Sequence, residues 1–182
     1  MAFSKKTRQE AITKVQNEEM DLLIIGGGIT GAGLTLQAAA TGMKVAVLEM
    51  QDFSEGTSSR STKLVHGGIR YLKNFDVEVV SDTVSERAVV QSIAPHIPKP
   101  DPMLLPIYND EGKTTFDMFS VKIAMDLYDR LAGIDEGSPY ANYTISPEEV
   151  LRREPLIKKK GLQGAGVYLD YRNNDSRLVI DN

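Results

Sequence analysis

Residues 26–31, Gly26-Gly27-Gly28-Ile29-Thr30-Gly31, carry the spacing G-x-G-x-x-G, and each glycine of that pattern has a mechanical reason to be there. Gly26 permits a tight turn out of a strand, Gly28 lets the backbone approach a pyrophosphate, and Gly31 lets a helix pack close to the sheet. A helix opening at Ile29 and Thr30 turns free N–H groups and its positive dipole end toward phosphates. Alone the pattern is weak, because glycine-rich turns are common. Here it follows an apolar block, opens an Ala-rich helical segment, and precedes a second apolar block ending in Glu49, eighteen residues after Gly31. A carboxylate at that place accepts hydrogen bonds from ribose hydroxyls and repels a 2′-phosphate, which points to an adenosine dinucleotide without that phosphate. NAD and FAD share this fingerprint.

The next segment bears on that choice. From 57 to 75 there is no acidic residue, while Arg60, Lys63, His66, Arg70 and Lys73 reverse the sign of a chain that is net acidic. A local reversal of this kind suits a nearby anion, although a solvated basic loop has the same composition. Thr57, Ser58, Ser59, Ser61 and Thr62 add hydroxyls suited to phosphate oxygens or to the polar edge of a flavin. His66 precedes Gly67 and Gly68, where a flat ring could approach the backbone, and an imidazole can act as a base near neutral pH. A lone histidine is more often structural. His96, between Pro95 and Ile97, reads as a loop residue, and a serine hydrolase is set aside because no G-x-S-x-G elbow is present.

The elements that must position these residues follow from periodicity. Residues 21–25 and 44–49 read as strands and 29–41 as the helix between them, a βαβ unit. The uncharged run at 22–43 is long enough to raise a membrane span, but its six glycines and its division into two blocks argue for strand, turn and helix instead. Residues 4–19 read equally as an amphipathic helix or as a solvated tail, and a helix is expected at 76–94, with Val77, Val80, Val84 and Ala88 on one face and Pro95 as the stop. Prolines at 95, 98, 100 and 102 read as an extended linker, followed by a strand at 103–108 and a turn at 109–112. A helix at 116–131 repeats Phe119, Ile123, Leu127 and Leu131 and stops at Gly133; 135–143 reads as a polar loop. Ser146-Pro147-Glu148-Glu149 signals a capped short helix, and 164–171 a further strand.

Composition narrows the chemistry. With 182 residues, 41% hydrophobic, 25% charged and a mean hydropathy of −0.24, the chain is an ordinary globular protein able to bury a core. It has no cysteine, which removes disulfides, thiolate nucleophiles and iron–sulfur clusters, so redox chemistry needs a bound cofactor. Two histidines without metal-ligand spacing give no expectation of a metal. The net charge of −4 gives none of a nucleic-acid partner, and without a signal-peptide pattern the expected location is the cytoplasm. The apolar run at 177–182 carries no stop signal, and the chain reads as the N-terminal part of a longer protein.

Several of these stretches resemble one family. Residues 21–33, 49–53 and 56–72 are similar to the FAD-dependent glycerol-3-phosphate dehydrogenases and oxidases, as are Ser85-Glu86-Arg87, Ala94-Pro95-His96, Leu127-Tyr128-Asp129 and 174–179. The likeness covers nearly the whole chain, and the N-terminal extension and the wording of 55–61 are most similar to the oxidase branch. The resemblance implies an α/β, Rossmann-like FAD-binding domain of the glutathione-reductase type with part of an inserted α+β substrate domain. The implied division is 1–94 for the helix and FAD-binding βαβ region, 95–166 for part of the substrate domain, and 167–182 for a return to the FAD domain. It also implies oxidation of sn-glycerol 3-phosphate to dihydroxyacetone phosphate, with hydride passing to FAD and electrons then to O2, giving hydrogen peroxide. In the dehydrogenase branch they pass to quinone. Carried over by position, Gly26, Gly28, Ile29, Thr30 and Gly31 would hold the pyrophosphate, Glu49 the ribose, and Thr57, Ser58, Ser59, Ser61, Lys63 and Leu64 the flavin and ribityl side. His66 would be the base and Arg70 an electrostatic partner, with Tyr71 adjacent; alternatively the pair only shapes the flavin pocket. Further basic substrate anchors would lie beyond Asn182. A non-catalytic FAD-binding fragment, an amine or amino-acid oxidase, a homo-oligomer and a peripheral membrane contact all remain compatible with the sequence.

Overall fold

The computed structural model describes residues 4–109 and 117–181. In chain order these residues form α1 (Lys5–Asn17), β1 (Leu22–Ile25), α2 (Ile29–Ala40), β2 (Val45–Leu48), β3 (Leu64–Val65), α3 (Val77–Ile93), β4 (Lys99–Tyr108), α4 (Met118–Leu131), β5 (Tyr143–Ile145), α5 (Pro147–Arg153), β6 (Leu162–Arg172) and α6 (Asp175–Asp181). Short 3₁₀ turns occupy Thr57–Ser59 and Ile69–Asn74. The chain divides into two compact units: one runs to Lys63 and resumes at Asn174, and the other spans Leu64–Asn173. Both division points implied by the family resemblance, at 94/95 and 166/167, fall inside the second unit, and the later one falls within β6.

The first unit is built on the expected βαβ pattern. β1 and β2 pair in parallel, Leu22 opposite Val45 through Ile25 opposite Leu48, with α2 as the connection between them. Ile24 and Ala46 are buried from the strands and Gly31 and Ala38 from the helix. The C-terminal run expected to lack a stop forms α6, which packs on α2 and on the Thr57–Ser59 turn. α1 forms through a reciprocal Ser4–Thr7 capping box but buries no residue, so its helicity rests on local capping and solvated side chains.

In the second unit β6 is the central strand. β4 pairs antiparallel along one side of it, and β3 and β5 share the other. The proline stretch is therefore part sheet and not wholly linker. Pro100, Pro102 and Pro106 stand opposite Tyr171, Leu169 and Ala165. All three occupy even positions of β4, so their missing N–H groups share the side away from β6, where an edge strand needs no donors. β5 falls at the end of the expected polar loop, where three residues give too short a pattern to read. The expected turn after Tyr108 lies mostly outside the described residues.

Two helix faces differ from expectation. α3 buries Val80, Val84 and Arg87 and leaves Val77 and Ala88 exposed. α4 buries Val121, Met125 and Tyr128, while Phe119 and Ile123 are exposed and Leu127 and Leu131 only partly packed. The reason is visible on β6: a Cβ at Gly166 would lie 2.5 Å from the Met125 sulfur, so the helix seats its Val121–Met125 row on a glycine instead of its bulkiest residues. On the other side α5, capped by Ser146 with Pro147 in its first turn, buries Val150 against Leu162 and Ala165.

Candidate functional site

In the first unit the glycine turn leaves β1 with Gly26 at φ +111°, a conformation side chains other than glycine rarely adopt. A Cβ at Gly31 would collide with the Gly26 carbonyl oxygen and lie 3.5 Å from the Ile24 side chain, so the helix can approach the strand only as glycine. The first intrahelical bond runs from the Ala32 N–H to the Gly28 carbonyl, 2.9 Å. The N–H groups of Ile29, Thr30 and Gly31 therefore precede the ladder and face out of the turn. Gly28 caps the helix without a side chain; the Ile29 N–H instead donates to Ser58 Oγ at 2.9 Å, twenty-nine positions along the chain. A Cβ on Gly28 would lie 2.9 Å from that same oxygen. Ser58 thus completes the rim of a shallow cavity of about 230 Å³ lined by Gly26, Gly28, Ile29, Thr30 and Gly31. Replacing Ser58 with alanine should remove a helix cap and cost about 1 kcal/mol in the ligand-free protein. Urea denaturation reads this directly, and an unchanged midpoint would show that the hydroxyl does not act as the cap.

Glu49 closes the other side of the turn. Its carboxylate accepts from the Gly27 N–H at 2.6 Å and the Gln51 N–H at 3.0 Å, and these bonds, Gln51 first, hold its carboxyl below the usual range. It stays charged beside the glycines.

The hydroxyl cluster divides. Thr57 opens its 3₁₀ turn and is exposed. Ser59 bonds Ser54 and Ser176, Ser61 donates to Asp175, and the Lys63 ammonium bridges the Ser59 carbonyl and Asp175, 2.6 and 2.7 Å. Asp175 starts α6 and is buried. Ser59, Ser61 and Lys63 therefore fasten the loop to α6, whereas Ser58 faces the helix terminus. Leu64 belongs to the other unit, paired with Arg172 in β3.

In the second unit His66 is not a lone histidine. Its Nδ1 contacts Oδ2 of Asp170, a carboxylate with no solvent exposure. The other oxygen of Asp170 accepts from the N–H groups of Gly67 (3.2 Å) and Tyr171 (3.1 Å) and from Arg87 (3.1 Å). Arg87, itself buried, also donates to Tyr128 Oη at 2.8 Å and the Leu169 carbonyl, and its guanidinium lies 4.6 Å from the Tyr171 ring centroid. Burial raises the phenols of Tyr128 and Tyr168, Tyr168 up to about 12, so both stay protonated at neutral pH. The space where a Cβ on Gly67 would lie is filled by the Tyr128 hydroxyl and Val84, so on that side this glycine serves packing. Arg70 is exposed and turns to Tyr71, 3.0 Å to the hydroxyl and 4.9 Å over the ring. His96 lies in the exposed turn after α3.

Asp170, Arg87 and Tyr128 went unread as site residues in the sequence. The available signal was a charge at 170 within an otherwise apolar strand pattern.

A glycine turn feeding a helix, with a carboxylate at the end of the next strand, is the pattern of a dinucleotide-binding fold. The chain belongs to the FAD dependent oxidoreductase family, whose model matches residues 21–181. It is 96% identical over all 182 residues to an alpha-glycerophosphate oxidase of Lactococcus lactis subsp. lactis and 69% identical to one of Streptococcus pyogenes serotype M6. It spans 30% and 29% of their lengths. Among solved structures it resembles the glycerol-3-phosphate dehydrogenase of Bacillus halodurans complexed with FAD, with a TM-score of 0.66 and 36% identity over 98% of this chain and 27% of that one.

Proposed function

We propose that the protein oxidises sn-glycerol 3-phosphate to dihydroxyacetone phosphate with FAD as cofactor and O2, reduced to hydrogen peroxide, as acceptor, and that it works in the cytoplasm. The observation that carries this reading is the 96% identity, across the whole chain, to an oxidase of that name. No helix among the described residues is long and apolar enough to cross a membrane.

The residues present suit FAD. The cradle needs glycine at 31 on steric grounds, a Cβ at Gly28 would crowd the Ser58 hydroxyl, and the N–H groups of Thr30 and Gly31 offer donors to a pyrophosphate. In this reading Gly26, Gly28 and Gly31 admit the pyrophosphate, the Ile29 N–H holds Ser58 so that its hydroxyl joins the Thr30 and Gly31 N–H groups in donating to it, and Glu49 takes the ribose hydroxyls. Thr57, Ser59, Ser61, Lys63 and Leu64 serve the flavin and ribityl side, Ser59, Ser61 and Lys63 by holding their loop in place. Bound FAD supplies the acceptor for the hydride that leaves C2 of the substrate. His66 receives the proton of the C2 hydroxyl on Nε2, the nitrogen not facing Asp170. Arg70, an exposed guanidinium, offsets the negative charge of the substrate.

The Bacillus halodurans likeness keeps a dehydrogenase in view, with an acceptor other than oxygen. An amine or amino-acid oxidase is the other alternative that the fold allows. Anaerobic mixing of the full-length protein with glycerol 3-phosphate, and separately with glycine or proline, distinguishes the substrates. Reduction by the phosphate ester alone is expected, and reduction by the amino acids alone would overturn the reading.

A further inference from the structure

Resting on His66 as the base, we infer that Asp170 is the positioning residue that fixes which imidazole nitrogen can receive the proton. The carboxylate is held from all sides by donors. Oδ1 faces the N–H groups of Gly67 and Tyr171 and the Arg87 guanidinium, and Oδ2 faces His66 Nδ1. Both oxygens act as acceptors there, so the neutral imidazole must present its proton on Nδ1 and its lone pair on Nε2.

The elements supply the precision. Asp170 sits on β6, the central strand; Arg87 comes from α3, where it is buried beside Val84; and Tyr128 comes from α4 and accepts from the same guanidinium nitrogen. The Tyr128 and Tyr171 rings, 5.5 and 4.6 Å from the guanidinium carbon, restrict its movement. Helix packing is thus transmitted to the histidine through one buried ion pair.

An Asp170→Asn substitution tests the orientation by its own geometry. The three donors at Oδ1 retain the amide oxygen, which turns the Asn NH2 toward His66 Nδ1 and makes that nitrogen an acceptor. The imidazole proton then moves to Nε2, which can no longer take a proton from the substrate.

The test uses the full-length holoenzyme with ¹⁵N-labelled histidine, the His66 signals being assigned by their loss in His66→Gln. Wild type is expected to carry the neutral proton on Nδ1 and Asp170→Asn on Nε2. Anaerobic flavin reduction in Asp170→Asn should slow by about 10²-fold or more, with KM changed by less than roughly threefold. In a His66→Gln background the same substitution should change the rate by less than about twofold, because its effect runs through the histidine. A wild-type proton on Nε2 would overturn the inference even if the variant failed to fold, and so would independent, multiplying effects of the two substitutions. If His66→Gln alone left reduction unchanged, the base assignment would be the part that failed. A slowed His66→Gln with a normal Asp170→Asn would remove only Asp170.

Discussion

Reduction of the bound flavin by glycerol 3-phosphate is expected to slow by about 10² to 10⁴-fold in full-length His66→Ala, the range that a general base contributes. FAD content should stay at the wild-type level. The imidazole's partner is Asp170, and its removal leaves the glycine turn, Ser58 and Glu49 untouched. Arg87 still neutralises Asp170 in the variant, so no unpaired buried charge appears. Arg70→Ala should shift the same rate in the same direction but by less, about tenfold, because an exposed guanidinium acts through water and is screened by salt. Anaerobic stopped-flow at saturating substrate reads both. Unchanged rates in the two variants would take both residues out of the chemistry.

Gly31→Ala is expected to act on the cofactor instead. The new methyl group would collide with the Gly26 carbonyl oxygen, which is backbone and cannot rotate aside as a long side chain could. The start of α2 must move away from β1, carrying the Thr30 and Gly31 N–H groups with it. Overpacking of this kind costs roughly 1–3 kcal/mol, or about 5- to 150-fold in FAD affinity if the strain is expressed on binding. Equilibrium titration of the apoprotein measures it. A Kd equal to wild type would mean that the Gly26–Gly31 turn is not where the pyrophosphate sits. The two substitutions should separate cleanly: one lowers rate at full occupancy, the other lowers occupancy.

The contrast follows how much of the molecule its local chemistry dictates. Gly26, Gly28 and Gly31 were legible because backbone sterics fix their spacing within six residues, and the strands at 22–25 and 45–48 were legible because each is a short apolar block with polar residues or glycine at its ends. Ser58 was legible only as a hydroxyl in a polar cluster. That it caps α2, while Ser59, Ser61 and Lys63 bind α6, depends on contacts across as many as 117 positions of chain. The edge strand hid behind its prolines, since their shared parity matters only once the partner strand is known. α4 hid its true face because Val121 and Met125 are chosen by a glycine on β6, not by their own hydrophobicity. The ion pair behind His66 was the least legible part. A buried aspartate on a strand and a buried arginine on a helix each look like surface residues until the fold joins them.

The most direct measurement is the visible spectrum of the purified full-length protein, taken anaerobically before and after glycerol 3-phosphate and again after air is admitted. A flavin band that bleaches with the substrate and returns in air with formation of hydrogen peroxide is the result expected. A flavin band that glycerol 3-phosphate leaves unchanged, or one that bleaches and stays bleached in air, would contradict an oxidase acting on this substrate.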